Sequence, residues 1–339
     1  MLYAVGRCTA FILWFLMATV LPLQTAHAQT SGERLLQSAH ALLEQGLNEQ
    51  AAAEYRDAID RLEDVQDLAN ARYGQAIAHH RLGDIDKAVR ALTQIPPDLA
   101  FGFRTDADVL LTTLLAQRGD HRQAVRAAER VLNKTDHASW ADAASLHVEL
   151  LHRLGRHREA VASFGRIQED LEERSPSACA RAALFAGLAA MQLAESGGDY
   201  ASAARILEFS SSEASSPAVR DHGLLAAANA WQLAGRADDG ERVLRRAVSV
   251  GSDRTKASAQ IGLGALVRGR GQTNEAGEIL GATDRSSLDA ASRSRLDLEL
   301  GIALVDAGAP RQAVRSLDRV LASDATSLLP VATYWRAKI

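Results

Sequence analysis

Histidines and cysteines are the side chains of this 339-residue chain best suited to hold a metal or attack a carbon centre, and their spacing decides whether they can. His147, His152 and His157 recur every five residues. Ligands for one ion stand three or four residues apart on a helix, so these three do not share a face. His79 and His80 are adjacent and point in different directions. Two cysteines, Cys8 and Cys179, can make neither a disulfide framework nor a four-cysteine zinc site. Cys179 lies in an alanine-rich stretch and reads as a buried, inert thiol. The run Gly262-Leu-Gly264-Ala-Leu-Val-Arg-Gly269-Arg-Gly271 has the glycines of a phosphate loop, but no strand signal precedes it. Glu172 and Glu173 read as solvated helix surface. No Gly-x-Ser-x-Gly or His-Glu-x-x-His occurs. The expectation is no catalytic residue, no cofactor and no metal.

The elements that would carry these residues are helices. Hydrophobic residues make up 47%, aromatics 5% and charged residues 24%, with a formal net charge of -4. That balance argues against a disordered chain, and the mild acidity argues against nucleic acid as a partner. A glycine followed five residues later by alanine recurs: Gly46/Ala51, Gly83/Ala88, Gly119/Ala124, Gly155/Ala160, Gly198/Ala203, Gly271/Ala276 and Gly308/Ala313, with Gly235/Gly240 as a variant. The intervals are 37, 36, 36, 43, 37, 36 and 37 residues. Helical apolar patterns precede the glycines, as in Leu110, Leu111, Leu114 and Leu115. Glycine stops such a helix because it tolerates a left-handed conformation. Asp84, Asp120 and Asp199 are placed to cap the helix that follows, and Pro310 suits a first helical position. The alanine marks a close helix crossing. Four residues on comes a large side chain: Tyr55, Leu92, Phe164, Leu207, Leu244, Leu280 or Leu317, with Ala128 the exception. Each unit is a helical hairpin that needs neighbours to bury its apolar face. In the long interval the spacing predicts an extended second helix, then a Ser-Pro start at Ser175-Pro176. Pro96-Pro97 is read as ending a second helix, and Ser210 to Pro217 as an exposed connector.

Residues 1–28 read as a cleaved export signal: Arg7, an apolar run from Ala10 to Leu23, then Ala26-His27-Ala28. The run is shorter than the roughly 20 residues a membrane span needs. The chain is therefore expected in the bacterial periplasm, with no stable membrane span once the signal is removed.

The strings Leu82-Gly83-Asp84-Ile85-Asp86-Lys87-Ala88, Arg118 to Ala124, Leu154 to Ala160 and Gly198 to Ala203 resemble the turn of the tetratricopeptide repeat, and Gly46 to Ala58 resembles its second helix. The resemblance spans about residues 32–326 and implies an all-α fold: a right-handed α-solenoid of about eight helix-turn-helix repeats of 36–37 residues. The period exceeds the family's usual ~34 residues. The tryptophan typical of the first helix is absent, and the closing proline is displaced or missing. Residues 327–339 read as a C-terminal helix, either a cap or the start of a ninth repeat.

In that family the first helices line a groove that binds peptides or partner helices. Carried over by counting back from each glycine, the groove positions are Asn70, Tyr73, Ile77 and His80, then Asp106 and Thr113, then Asp142, Ser145, Glu149 and His152. Later come Gln192, Glu195, Asn229, Gln232, Arg268 and Arg295. With the export signal and the missing catalytic motifs, the resemblance implies a non-enzymatic scaffold of the cell envelope that holds a peptide or helix of a protein partner. The alternatives are the front section of a larger cell-wall enzyme, similar to a lytic transglycosylase, a polysaccharide-export component, or a direct polysaccharide binder. The scarcity of groove aromatics speaks against the last.

Overall fold

The computed structural model describes residues 30–339, and the segment read as an export signal lies outside them. Among the described residues there are seventeen α-helices, one 3-10 turn and no strand. They fall into two compact units, the first ending at Arg104 and the second running from Thr105 to Ile339. The first unit holds two hairpins, α1 (Ser31–Glu44) with α2 (Asn48–Ile59), and α3 (Val65–Arg81) with α4 (Ile85–Thr93). The second holds six: α5 (Arg104–Arg118) with α6 (His121–Leu132), α7 (Trp140–Arg153) with α8 (His157–Arg174), α9 (Pro176–Glu195) with α10 (Tyr200–Glu213), α11 (Pro217–Leu233) with α12 (Ala237–Val250), α13 (Asp253–Gly269) with α14 (Thr273–Gly281), and α15 (Ala290–Asp306) with α16 (Pro310–Leu321). A final helix, α17 (Leu329–Ala337), packs on α15 and α16 through Ala332 and Trp335.

The hairpin turn has one construction. At Gly83, φ is 79°; its N–H donates to the His80 carbonyl at 3.0 Å, and the Asp84 N–H donates to the His79 carbonyl at 2.9 Å. These bonds close the last turn of α3 from a left-handed residue that only glycine adopts without strain. The same residue type with positive φ stands at 46, 119, 155, 235, 271 and 308. In the fifth repeat the left-handed residue is Gly197 (φ 105°), not the expected Gly198. Ser196-Gly197-Gly198-Asp199 supplies one extra residue, so the first glycine closes α9 and the second bonds back to the Leu193 carbonyl.

That extra residue explains a second difference. Asp199 has room to adopt an extended conformation and caps α10, accepting from the Ala201 N–H at 2.8 Å. Asp84 and Asp120 occupy the tighter turns, where one residue both ends a helix and begins the next. Their carboxylates make no cap bond. Asp84 accepts from Lys87 at 2.7 Å instead, and Asp120 pairs with Arg118. Ser175 and Pro176 do open α9, with the Ser175 hydroxyl accepting from the Ala178 N–H at 3.3 Å.

Every alanine five residues after its expected turn glycine is fully buried: 51, 88, 124, 160, 203, 276 and 313 are each 0% exposed. The bulky residue four further on is buried too, from Tyr55 and Leu207 at 0% to Phe164 and Leu244 at 4%. It meets a second set of glycines, inside the first helices. A Cβ on Gly187 would lie 2.6 Å from Leu207, one on Gly264 2.5 Å from Leu280, and one on Gly301 2.8 Å from Leu317. The glycine run from 262 to 271 is therefore helix packing followed by a turn. The Ser210 to Pro217 connector is shorter than expected. Ser210 and Ser211 lie within α10, 0% and 2% exposed, and the Ser210 hydroxyl donates to the Ala180 carbonyl at 2.7 Å. Small side chains whose hydroxyls can bond within the fold suit a close crossing as well as they suit a loop.

Helix α9 is long and apolar enough to cross a membrane by length and composition, yet 56% of that window is buried. Seven of its ten buried residues are alanine, and Cys179 among them is 0% exposed. Burial, with Glu172 and Glu213 nearby, pushes that thiol up to about 11. This matches the inert thiol expected from its neighbours.

Candidate partner-binding face

First helices touch first helices, α1 with α3 in one unit and α7, α9, α11, α13 and α15 in succession in the other, while second helices pack on first helices. From α7 to α15 the first helices of the second unit therefore form a continuous wall. All of the expected groove residues lie on first helices.

In the first unit, Tyr73 stacks on Phe103 with ring centroids 5.6 Å apart and planes at 22°. Phe103 is half-exposed, and the sequence reading did not single it out. Asn70 is partly buried, with its Oδ1 unpartnered, and His80 is exposed. His79 is turned inward, beside Asp84.

In the second unit, Asp106 lies 3.3 Å from His137. Asp142 and Ser145 on α7 both meet Arg181 on α9. Arg181 donates to the Ser145 hydroxyl at 2.7 Å and to the Asp142 carboxylate at 3.2 Å. Glu149 pairs with Arg153 at 2.7 Å. His152 packs against Phe185, with centroids 5.9 Å apart, and against His157 at 5.3 Å. The turn thus brings together two histidines five residues apart, which one continuous helix would separate, while His147 faces elsewhere. Among the described residues no group of three His, Cys, Asp or Glu side chains converges on a metal position. Asn229, Gln232 and Arg295 are exposed. Arg268 is committed to Glu299 at 3.0 Å, with Asp306 at 3.9 Å.

The fifth repeat shifts the register of the wall. Gly264 and Gly301 stand seven residues before their turn glycines, but Gly187, which makes the same leucine contact, stands ten before Gly197. The extra length, nearly one helical turn, is at the end of α9. Counting from the packing glycine puts Arg181, Leu188 and Met191 at the wall positions. Gln192 and Glu195, counted from the turn, fall on the added turn, where they lie 3.4 Å from each other. The sequence carried the signal needed to find Arg181, the small residue at the helix crossing rather than the one at the helix end.

Residues 36–98 match the family model described as tetratricopeptide repeat. No curated protein matches the sequence. Among solved structures, one similar chain is a signal transduction ATPase with numerous domains and a tetratricopeptide repeat sensor from Pyrococcus horikoshii. It is 12% identical with a TM-score of 0.55, and the match covers 88% of this chain and 47% of that one, about half its length. Another is the apo form of the quorum sensor NprR from B. thuringiensis, 11% identical over 92% and 91% of the two chains with a TM-score of 0.44. A third is YrrB, described as a tetratricopeptide-repeat protein with an unusual peptide-binding site, 19% identical over 56% and 89% with a TM-score of 0.44. At these identities the likeness concerns the fold alone. The tetratricopeptide-repeat match covers residues 36–98, across the first two hairpins, and for the other described residues the likeness is one of helical-hairpin fold.

Proposed function

We propose that the protein is a non-enzymatic scaffold whose first-helix wall holds an extended peptide or a helix of a partner protein. One observation carries this reading. The first helices of the second unit present a succession of exposed or half-buried polar side chains, of which Asp142, Glu149, His152, Asn229 and Gln232 are examples, and the first unit separately presents a half-exposed aromatic pair, Tyr73 with Phe103. Side chains of this kind recognise a long ligand through many modest contacts, with aromatic anchors supplying much of the affinity. The wall is mixed in charge. Asp142 and Glu149 lie in the fourth repeat, and Arg181, Arg268 and Arg295 in later ones.

The setting is proposed from residues 1–28, whose basic start, apolar run and small-x-small end suit export to a bacterial periplasm. The partner is then an envelope protein. The test is capture from periplasmic extract by the full mature chain and by a wall variant, Glu149→Ala with Asn229→Ala. A partner held by the parent and lost by the variant supports the reading. Equal capture by both overturns it.

A further inference from the structure

Away from the first-helix wall, a cleft of about 450 Å³ lies among α6, α7 and α8. His147 of α7 reaches into it and is 4% exposed. At the same distance from the turn, the other first helices of this unit that share its register carry Leu111, Ala227, Leu263 and Leu300. An imidazole replaces an aliphatic side chain only here.

The hydrogen bonds of His147 are half made. Its Nδ1 lies 3.1 Å from the Ser163 hydroxyl, which is itself buried. The Thr112 hydroxyl bonds back to the Asp108 carbonyl at 2.7 Å, whereas that of Ser163 has Nδ1 as its partner. We assign the Ser163 proton to Nδ1, which leaves the ring proton on Nε2. Burial, reinforced by Arg156 and Arg166 and opposed by Glu159, pushes the imidazole down to about 4, so it is neutral near pH 7. Nε2 is buried without a partner, and the Glu129 carboxylate of α6 stands 3.9 Å from it, too far for a direct bond.

This gap selects a chemistry. A neutral N–H donor and a carboxylate acceptor face the same point. An incoming carboxylate would be repelled by Glu129, and an ammonium has nothing to offer the N–H. A hydroxyl satisfies both, accepting from Nε2 and donating to Glu129. Glu159 is already held by Arg156, with bonds of 2.7 and 2.6 Å. Asn133 and Arg166 line the rest of the cleft with donors, and Leu132, Leu151 and Ile167 give it an apolar floor. We propose that the cleft is a second binding site, distinct from the first-helix wall, for a small polyhydroxylated ligand of sugar size that places one hydroxyl between His147 and Glu129.

The test is nitrogen-edited NMR of the full mature chain, titrated separately with methyl glucoside, maltose, glycine and acetate. The His147 ring signals read the tautomer directly. The expected result is an Nε2–H tautomer whose shift moves with the sugars and not with glycine or acetate. Tighter binding of maltose than of methyl glucoside identifies the end of a saccharide chain as the natural source, and equal binding identifies a free monosaccharide. Binding should weaken at least tenfold in His147→Leu, which installs the side chain of neighbouring repeats, and in Glu129→Ala, which changes an exposed residue. No sugar shift at saturating concentration, with only water on Nε2, would overturn the proposal, as would equal affinity in both variants.

Discussion

The fourth and eighth repeats share one turn and bury different polar groups. In the eighth, Asp297 of α15 is 3% exposed and fully engaged. Arg285 donates to both its oxygens at 2.7 Å, and Arg319 donates to Oδ1 at 2.9 and 2.7 Å. Burial alone would raise its pKa, but these bonds outweigh burial and hold it below the usual carboxylate range. The third repeat uses the same arrangement, with Arg130 on Asp108 at matching distances from the turn glycine. In the fourth, His147 is equally buried and has one bond made and one open. The contrast teaches that hairpin cores tolerate a buried polar side chain readily when it is satisfied. A buried group left half-satisfied beside a cleft points instead to a ligand.

The comparison breaks most visibly under acid. His147 binds a proton less readily folded than unfolded, so its contribution to stability is complete above about pH 6.5 and lost as pH falls toward 4. A depression of this size corresponds to ~3 kcal/mol. Urea unfolding between pH 7 and 4 should therefore show a steeper loss in the parent than in His147→Leu, and parallel curves would refute the assignment.

Next in size is Asp297→Ala. It strands two guanidiniums, but both are half-exposed and can turn to water, so the cost falls below that of a fully buried pair, at about 2 kcal/mol. A midpoint shift in denaturant measures it, and an unchanged midpoint would show that Asp297 is not stabilising.

Two glycine substitutions separate packing from turn chemistry. Gly264→Ala drives a methyl into Leu280, which has no room to move, and should cost ~1 to 2 kcal/mol after the gain in helix propensity. Gly235→Ala meets open space but holds φ at 72°, and should cost about 1 kcal/mol. Both are read from thermal unfolding, and a stabilised Gly264→Ala would contradict the close crossing. The smallest effect is expected at Cys179, whose thiol should stay unmodified by an aromatic disulfide reagent until the chain unfolds.

The sequence made the hairpins legible because each required a left-handed glycine and, five or six residues on, a small buried residue, alanine in seven and Gly240 in the sixth. It misplaced the wall in the fifth repeat because the turn glycine reports where a helix ends, whereas the face presented is set by where the helix crosses its partner. A longer α9 separated the two, hiding Arg181 and moving Gln192 and Glu195 onto an added turn. Phe103 stayed hidden because it lies just before α5, outside any repeat register, and meets Tyr73 only through the path of the connecting loop. His147 was weighed for its spacing from other histidines, but what marks it is the aliphatic company it keeps at the same register.

The central claim is that the first-helix wall is the working surface. Photo-crosslinking tests it most directly, with benzoylphenylalanine placed singly at Glu149, Asn229 and Gln232 on first helices and at the exposed Arg246 on a second helix. The account predicts that the captured partner crosslinks from the three first-helix positions and not from 246. Crosslinks from 246 with silence at the other three would contradict it.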